Sequence, residues 1–127
     1  MSLLQIVKKP LQYANTARKF TGYNLLKQRT PVSVGFIITH RCNFRCTYCD
    51  SPNQVEDEMT TEQIFTMIDE LAEMGLERLG ITGGEPTLRM DIGKIIDYAR
   101  SKGLVVTMVT NGSLLNTKIV NFLADEN

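Results

Sequence analysis

Acidic residues are missing from the first 31 positions, where Lys8, Lys9, Arg18, Lys19, Lys27 and Arg29 stand unopposed. The rest of the chain holds eight basic and fourteen acidic residues, so a formal charge of zero conceals a cationic leader and a body near −6. Long apolar runs are missing as well. No stretch approaches the roughly 20 residues of a membrane span. Lys8, Lys9 and Pro10 also interrupt the N-terminus where a secretory signal would be continuously apolar. A cytoplasmic protein is therefore the expectation. Histidine is confined to His40, which leaves little material for a Ser-His-Asp device. Cysteine is scarce and odd in number, with all three residues inside one stretch of eight. A secreted disulfide scaffold needs an even set spread along the chain, whereas three clustered thiols in a reducing compartment suggest metal binding.

What is present is the composition of a globular protein, 127 residues with 43% hydrophobic and 22% charged side chains. That length suits one ordinary domain or a piece of a larger one. A cationic amphipathic leader can touch an anionic membrane or a nucleic acid. A helical segment with one solvated face, packed on its own domain, is the commoner arrangement and the expectation for residues 1–31. Membrane-surface contact through 1–31 is the lesser alternative, and no nucleic-acid partner is expected.

The texture changes at Val32. Val32 to Thr39 is a β-branched and aromatic run that reads as a strand. A polar loop follows from His40 to about Glu58 and contains the cysteines. A helix then begins at Thr60, whose hydroxyl can cap the backbone while Gln63 reaches back. Its apolar face is Ile64, Met67, Ile68, Leu71 and Met74, with Gly75 at the exit. Glu77 to Thr82 reads as a second strand, and Ile92, Ile95, Ile96 and Ala99 mark a second helix that Gly103 can end. Leu104 to Thr110 is a third strand, apolar on both faces, before a third helix near Asn116 with Ile119, Val120 and Leu123 aligned. Strands alternating with helices imply a parallel sheet with right-handed crossovers. Three strands cannot close a barrel, and the outer edge of the third would be left bare. A truncated portion of a barrel is expected over a small open sheet.

Three polar motifs follow the three strands. They are Cys42-Asn43-Phe44-Arg45-Cys46-Thr47-Tyr48-Cys49, then Gly83-Gly84-Glu85-Pro86, then Thr110-Asn111-Gly112. Parallel α/β folds build their sites at that edge. Thiolates suit iron–sulfur clusters, zinc and copper(I). Three of them leave one iron of a four-iron cluster without a protein ligand. Spacing alone leaves three readings open: such a cluster, a zinc site completed by His40, and a buried stripe on a helix. Asn-Gly is equally an ordinary turn.

The Cys-x3-Cys-x2-Cys spacing with Tyr48 before the last cysteine resembles the signature of the radical SAM superfamily, and Gly83-Gly84-Glu85-Pro86 is similar to its GGEP motif. The surrounding sequence looks like the branch holding the molybdenum-cofactor enzyme and the peptide-modifying SPASM enzymes. The resemblance covers residues 32 to about 123. It implies an α/β fold, the first half of a partial TIM barrel over 32–127, with about three of the family's six or so βα units. Cys42, Cys46 and Cys49 would each bind one iron of a [4Fe–4S] cluster, and S-adenosyl-L-methionine would chelate the fourth. Gly83, Gly84 and Glu85 would line the methionine, with Glu85 meeting its amino group. Tyr48 would sit near the adenine through its backbone, and Asn111 would contact the cofactor. The implied reaction is reductive cleavage to methionine and a 5′-deoxyadenosyl radical, which abstracts hydrogen from a substrate. A donor such as flavodoxin or ferredoxin would supply the electron. The later strands that shape a substrate pocket, and any cysteines for auxiliary clusters, do not occur in the sequence. A non-catalytic cluster-binding remnant and a small zinc-binding module are the alternatives.

Overall fold

The computed structural model describes residues 31–53 and 57–124, together with Ala14, Ala17, Arg18, Thr21, Gly22 and Leu25. Those six are helical, and Thr21 Oγ1 donates to the Ala17 carbonyl at 2.9 Å. The rest of the expected basic segment, up to residue 30, lies outside the described residues.

The order of elements is that read from the periodicity. Strand β1 (Ser33–Ile37) is followed by helix α1 (Thr61–Glu73), strand β2 (Arg78–Thr82) and helix α2 (Ile92–Ser101). Strand β3 (Val105–Met108) and helix α3 (Thr117–Ala124) complete it. The strands are all parallel, in the order β1-β2-β3. Each is shorter than its apolar run, although Ile38 N–H still bonds the Thr82 carbonyl and Val109 N–H that of Ile81, both at 2.9 Å.

Register explains the core. Val34, Leu79 and Val106 form one row across the sheet, and Phe36, Ile81 and Met108 the next. On that face Leu79 and Ile81 are fully buried against Ile64 and Ile68 of α1 and Ile95, Ile96 and Ala99 of α2. Thr60 and Gln63 form the expected capping box, Gln63 N–H to Thr60 Oγ1 at 3.3 Å and Thr60 N–H to Gln63 Oε1 at 2.8 Å. Met74 departs from the expected apolar face: it is the helix C-cap and stands 56% exposed. In α3 the inward residues are Phe122 and Leu123 rather than Val120, which is exposed. Arg100 of α2 turns α3 this way by donating to the Phe122 and Leu123 carbonyls at 3.2 and 2.8 Å. The sheet's other face is bare among the described residues, with Ile37 54% and Val109 69% exposed.

One cation ties the elements together beneath the carboxyl edge. Arg89 is 6% exposed. It donates to the Ile38 carbonyl at 3.1 Å, twice to the Met59 carbonyl at 3.2 Å, and to both oxygens of Asp91 at 2.9 and 2.6 Å. A buried guanidinium is tolerable only when its N–H groups are matched in this way. The bonds join the end of β1 to the segments entering α1 and α2. Glu58 extends the network, accepting from Thr39 Oγ1 and from Arg41 at 2.8 and 3.1 Å. The Arg89 bond pushes the Asp91 carboxyl down to about 2; burial opposes the shift and a 2.7 Å bond from Thr61 Oγ1 assists it.

Because the folded value lies below the unfolded one, this stabilisation is complete above about pH 4 and is lost as pH falls toward 2. Chemical denaturation at stepped pH should show a loss of roughly 2 kcal/mol over that window. Asp91→Asn should lower stability at neutral pH and flatten the acid limb. An acid limb as steep as the parent's would show that Asp91 is not its source.

Candidate functional site

The three motif loops emerge side by side because their strands are parallel and adjacent. The cysteine loop is not helical, which removes the buried-stripe reading. Cys42 and Cys46 are half-buried, Cys49 is exposed, and all three are free thiols. Cys49 N–H bonds the Cys46 carbonyl at 3.1 Å, and Phe44 N–H approaches Cys42 Sγ at 3.4 Å. Arg45 folds back onto the Cys42 and Phe44 carbonyls at 3.2 and 3.3 Å. Tyr48 is 89% exposed. The neighbouring Cys46 side chain raises the Tyr48 phenol above its ordinary value. Cys46, Tyr48, Cys49 and Asp50 line a shallow hollow of about 430 Å³.

This donor set can be tested against a metal. A single zinc with Zn–S bonds near 2.3 Å needs its sulfurs about 3.8 Å apart. Among the described residues no three His, Cys, Asp or Glu side chains gather about one point in that way. His40 Nδ1 lies 3.5 Å from Ser51 Oγ. Three thiols on one loop are chemically suited to the separate irons of one cluster, which are softer partners for sulfur than the oxygen-ligated metals.

The second loop grips the first. A Cβ on Gly83 would lie 2.3 Å from the Thr39 carbonyl oxygen, and one on Gly84 would lie 2.3 Å from that of Arg41. Gly84 N–H bonds the Thr39 carbonyl and Glu85 N–H the Arg41 carbonyl, both at 2.8 Å. A close backbone approach is thus made to the cysteine loop itself, at Thr39 and at Arg41, one residue before Cys42.

Glu85 is fully buried. Its Oε1 accepts from Thr87 N–H at 3.0 Å, from the Thr87 hydroxyl and from Thr110 Oγ1 at 2.7 Å, and its Oε2 accepts from Asn111 N–H at 2.7 Å. Burial works to raise its pKa, but the donors of Thr87, Asn111 and Thr110 outweigh it and keep the carboxyl below the ordinary value. The carboxylate is therefore committed to the third loop and does not stand free. Asn111 Nδ2 in turn donates to Asn43 Oδ1 at 2.9 Å and lies 4.0 Å from Cys42 Sγ. The Asn-Gly segment is a turn, with Gly112 at φ 76°, and it also joins the other two motifs. The sequence reading passed over Thr39, Asn43, Glu58, Arg89 and Ser113. Arg89 and Asp91, charged residues two apart behind Gly-Gly-Glu-Pro, were the signal available.

A parallel sheet with one face bare among the described residues, and three interlocked loops presenting thiols at its carboxyl edge, define an α/β protein with a thiol-bearing loop cluster. The model of the radical SAM superfamily matches residues 36–127, and the chain belongs to that superfamily. It is 36% identical over 98 residues to a PqqA peptide cyclase of Bradyrhizobium diazoefficiens, across 75% of this chain and 26% of that protein. It is 33% identical over 120 residues to an Fe-coproporphyrin III synthase of Methanosarcina barkeri, across 91% of this chain and 30% of that protein. The chain thus spans between a quarter and a third of these relatives. The crystal structure of Streptococcus suis SuiB bound to S-adenosylmethionine superposes with a TM-score of 0.70 at 22% identity, over 94% of this chain and 29% of that one. This likeness establishes the shared α/β half-barrel fold.

Because a side chain at Gly84 meets the Arg41 carbonyl, Gly84→Val should displace the cysteine loop. Iron and sulfide bound after anaerobic reconstitution should fall severalfold. Gly35→Ala, which meets no atom within 4 Å, should retain both. Full iron content in Gly84→Val would show that the glycine does not hold the loop.

Proposed function

We propose that residues 32–127 are the first half of a radical SAM core, in which Cys42, Cys46 and Cys49 hold three irons of a [4Fe–4S] cluster and S-adenosyl-L-methionine binds the fourth. The observation that carries this reading is the bonding of the free-thiol loop to both the Gly-Gly-Glu turn and the Asn111 turn. When bound, the pair supplies one-electron cleavage of a sulfonium carbon–sulfur bond and the hydrogen abstraction that follows.

The chain's own residues bind and orient. Gly83, Gly84 and Glu85 would line the methionine end, where the negative charge of the buried Glu85 favours an ammonium nearby. Tyr48, beside Cys46, would take the adenine side, and Asn111, beside Cys42, would contact the cofactor. Arg89 and Glu58 hold the floor from which the cysteine loop rises. Relatives named for a peptide cyclase and for a porphyrin synthase both share this region. What it does in common for them precedes the choice of substrate, so radical initiation is the function we assign to it. A reductant of the flavodoxin or ferredoxin kind supplies the electron. The free thiols suit the reducing cytoplasm, and residues 1–31 carry six basic side chains and no acidic one.

Reconstituted, reduced protein should give a [4Fe–4S]⁺ paramagnetic resonance that changes when S-adenosylmethionine is added. Alanine at Cys42, Cys46 or Cys49 should abolish the stable four-iron centre. Dithionite with the cofactor should yield 5′-deoxyadenosine. A signal indifferent to the cofactor would reduce the chain to a cluster-binding remnant, and stoichiometric zinc without sulfide would overturn the assignment.

A further inference from the structure

Two asparagines outside the ligand set are bonded to each other, and one of them reaches Cys42. Asn111 is fixed at its main chain by Glu85 Oε2, which accepts its N–H at 2.7 Å. Its side-chain oxygen accepts the Ser113 backbone N–H at 2.9 Å. A backbone N–H can only donate, so this bond settles which end of the carboxamide is oxygen and turns the NH₂ the other way. That NH₂ donates to Asn43 Oδ1 at 2.9 Å and lies within 4.0 Å of Cys42 Sγ, a distance at which its second hydrogen can be offered to the sulfur. The orientation of Asn43 follows in turn, since the atom that meets this NH₂ must accept, which leaves its Nδ2 to donate to Ser113 Oγ at 2.8 Å. With Phe44 N–H at 3.4 Å, Cys42 Sγ is approached by two donors.

The ring closes through the main chain. Arg41, next to Cys42, accepts from Glu85 N–H, and the Glu85 carboxylate accepts from Asn111. We propose that Asn111 is a positioning residue for Cys42: its carboxamide, oriented by Ser113 and Asn43 and seated by Glu85, donates to the Cys42 thiolate and raises the reduction potential of the cluster bound there. The inference rests on the cluster reading above. A donor to a ligand sulfur stabilises the reduced, more negative cluster more than the oxidised one, so its removal makes reduction harder. The device couples the third strand's turn to the electron-accepting step.

The test has two arms. In reconstituted protein, a potentiometric titration followed by paramagnetic resonance should place Asn111→Ala at a more negative potential than the parent. At one fixed potential the reduced-to-oxidised ratio should fall on the order of tenfold, which corresponds to about 59 mV for one electron. Asn43→Ala, which releases the carboxamide, should shift in the same direction. Thr61→Ala, which loosens the distant Asp91 bond, should not shift, and this separates positioning from general destabilisation. Unchanged potentials in both asparagine variants would overturn the proposal.

In metal-free protein labelled with nitrogen-15, Cys42→Ala should move the Asn111 side-chain NH₂ resonances, while Cys49→Ala should leave them in place. An Asn111 signal indifferent to Cys42 would overturn the contact. Failure of the parent to take up iron would defeat the cluster reading alone, because the metal-free spectrum still decides whether the contact exists.

Discussion

The site depends on the burial of one carboxylate. Removing Glu85 from water would cost several kcal/mol if its oxygens were unmatched. The cost is offset because Thr87, Thr110 and Asn111 deliver four hydrogen bonds to it. Those donors lie on the turn after β2 and the turn after β3, so the carboxylate can be buried only when both turns are in place. Its own backbone N–H meanwhile bonds the Arg41 carbonyl at the start of the cysteine loop. Three loops that the sheet merely sets side by side are thus made mutually dependent. Substitution at this residue would disturb the geometry of all three loops together, which is why the buried bonds matter to any account of its role.

The sheet distributes its tasks by face. The rows through Leu79 and Ile81 are closed under α1 and α2 and supply the core. The opposite face carries Gly35, Ile37, Thr107 and Val109 and meets no helix among the described residues. In a closing βα barrel such a face becomes the interior, above which the loops of the carboxyl edge converge. Helices on one side and chemistry at one edge therefore follow from the same parallel order.

Periodicity was enough to read the element order, the parallel sheet, the capping box at Thr60 and the buried residues of α1 and α2. These are local signals, repeated within one turn or one strand. Met74 and Val120 were misplaced for a complementary reason: each has the right spacing, but one sits past the last helical turn and the other belongs to a helix whose rotation is set by Arg100, a residue of another element. The motif residues were legible as residue types at given spacings, and their partners were not. Nothing in the one-dimensional pattern announces that Gly84 faces Arg41, or that Arg89 reaches Ile38 across 51 positions. Such contacts exist only once the strands are paired.

The three thiols are unequal before any metal arrives. Cys42 follows Arg41, which is held by both Glu85 and Glu58, and its sulfur is approached by Phe44 N–H and the Asn111 carboxamide. Cys46 and Cys49 share one backbone turn bond and open onto the shallow hollow beside Tyr48. A cluster requires its ligands at distances set by its own frame, and a site with all three sulfurs rigidly placed would have to match that frame in advance. For the cluster proposed above, one anchored ligand and two on an open turn would relax this demand: the anchored sulfur would fix where the cluster sits relative to the Gly-Gly-Glu turn, and the other two would adjust to the metal. The rigidity of the fold is thus spent where the cofactor must be oriented, and the latitude is left where the cluster can impose its own geometry.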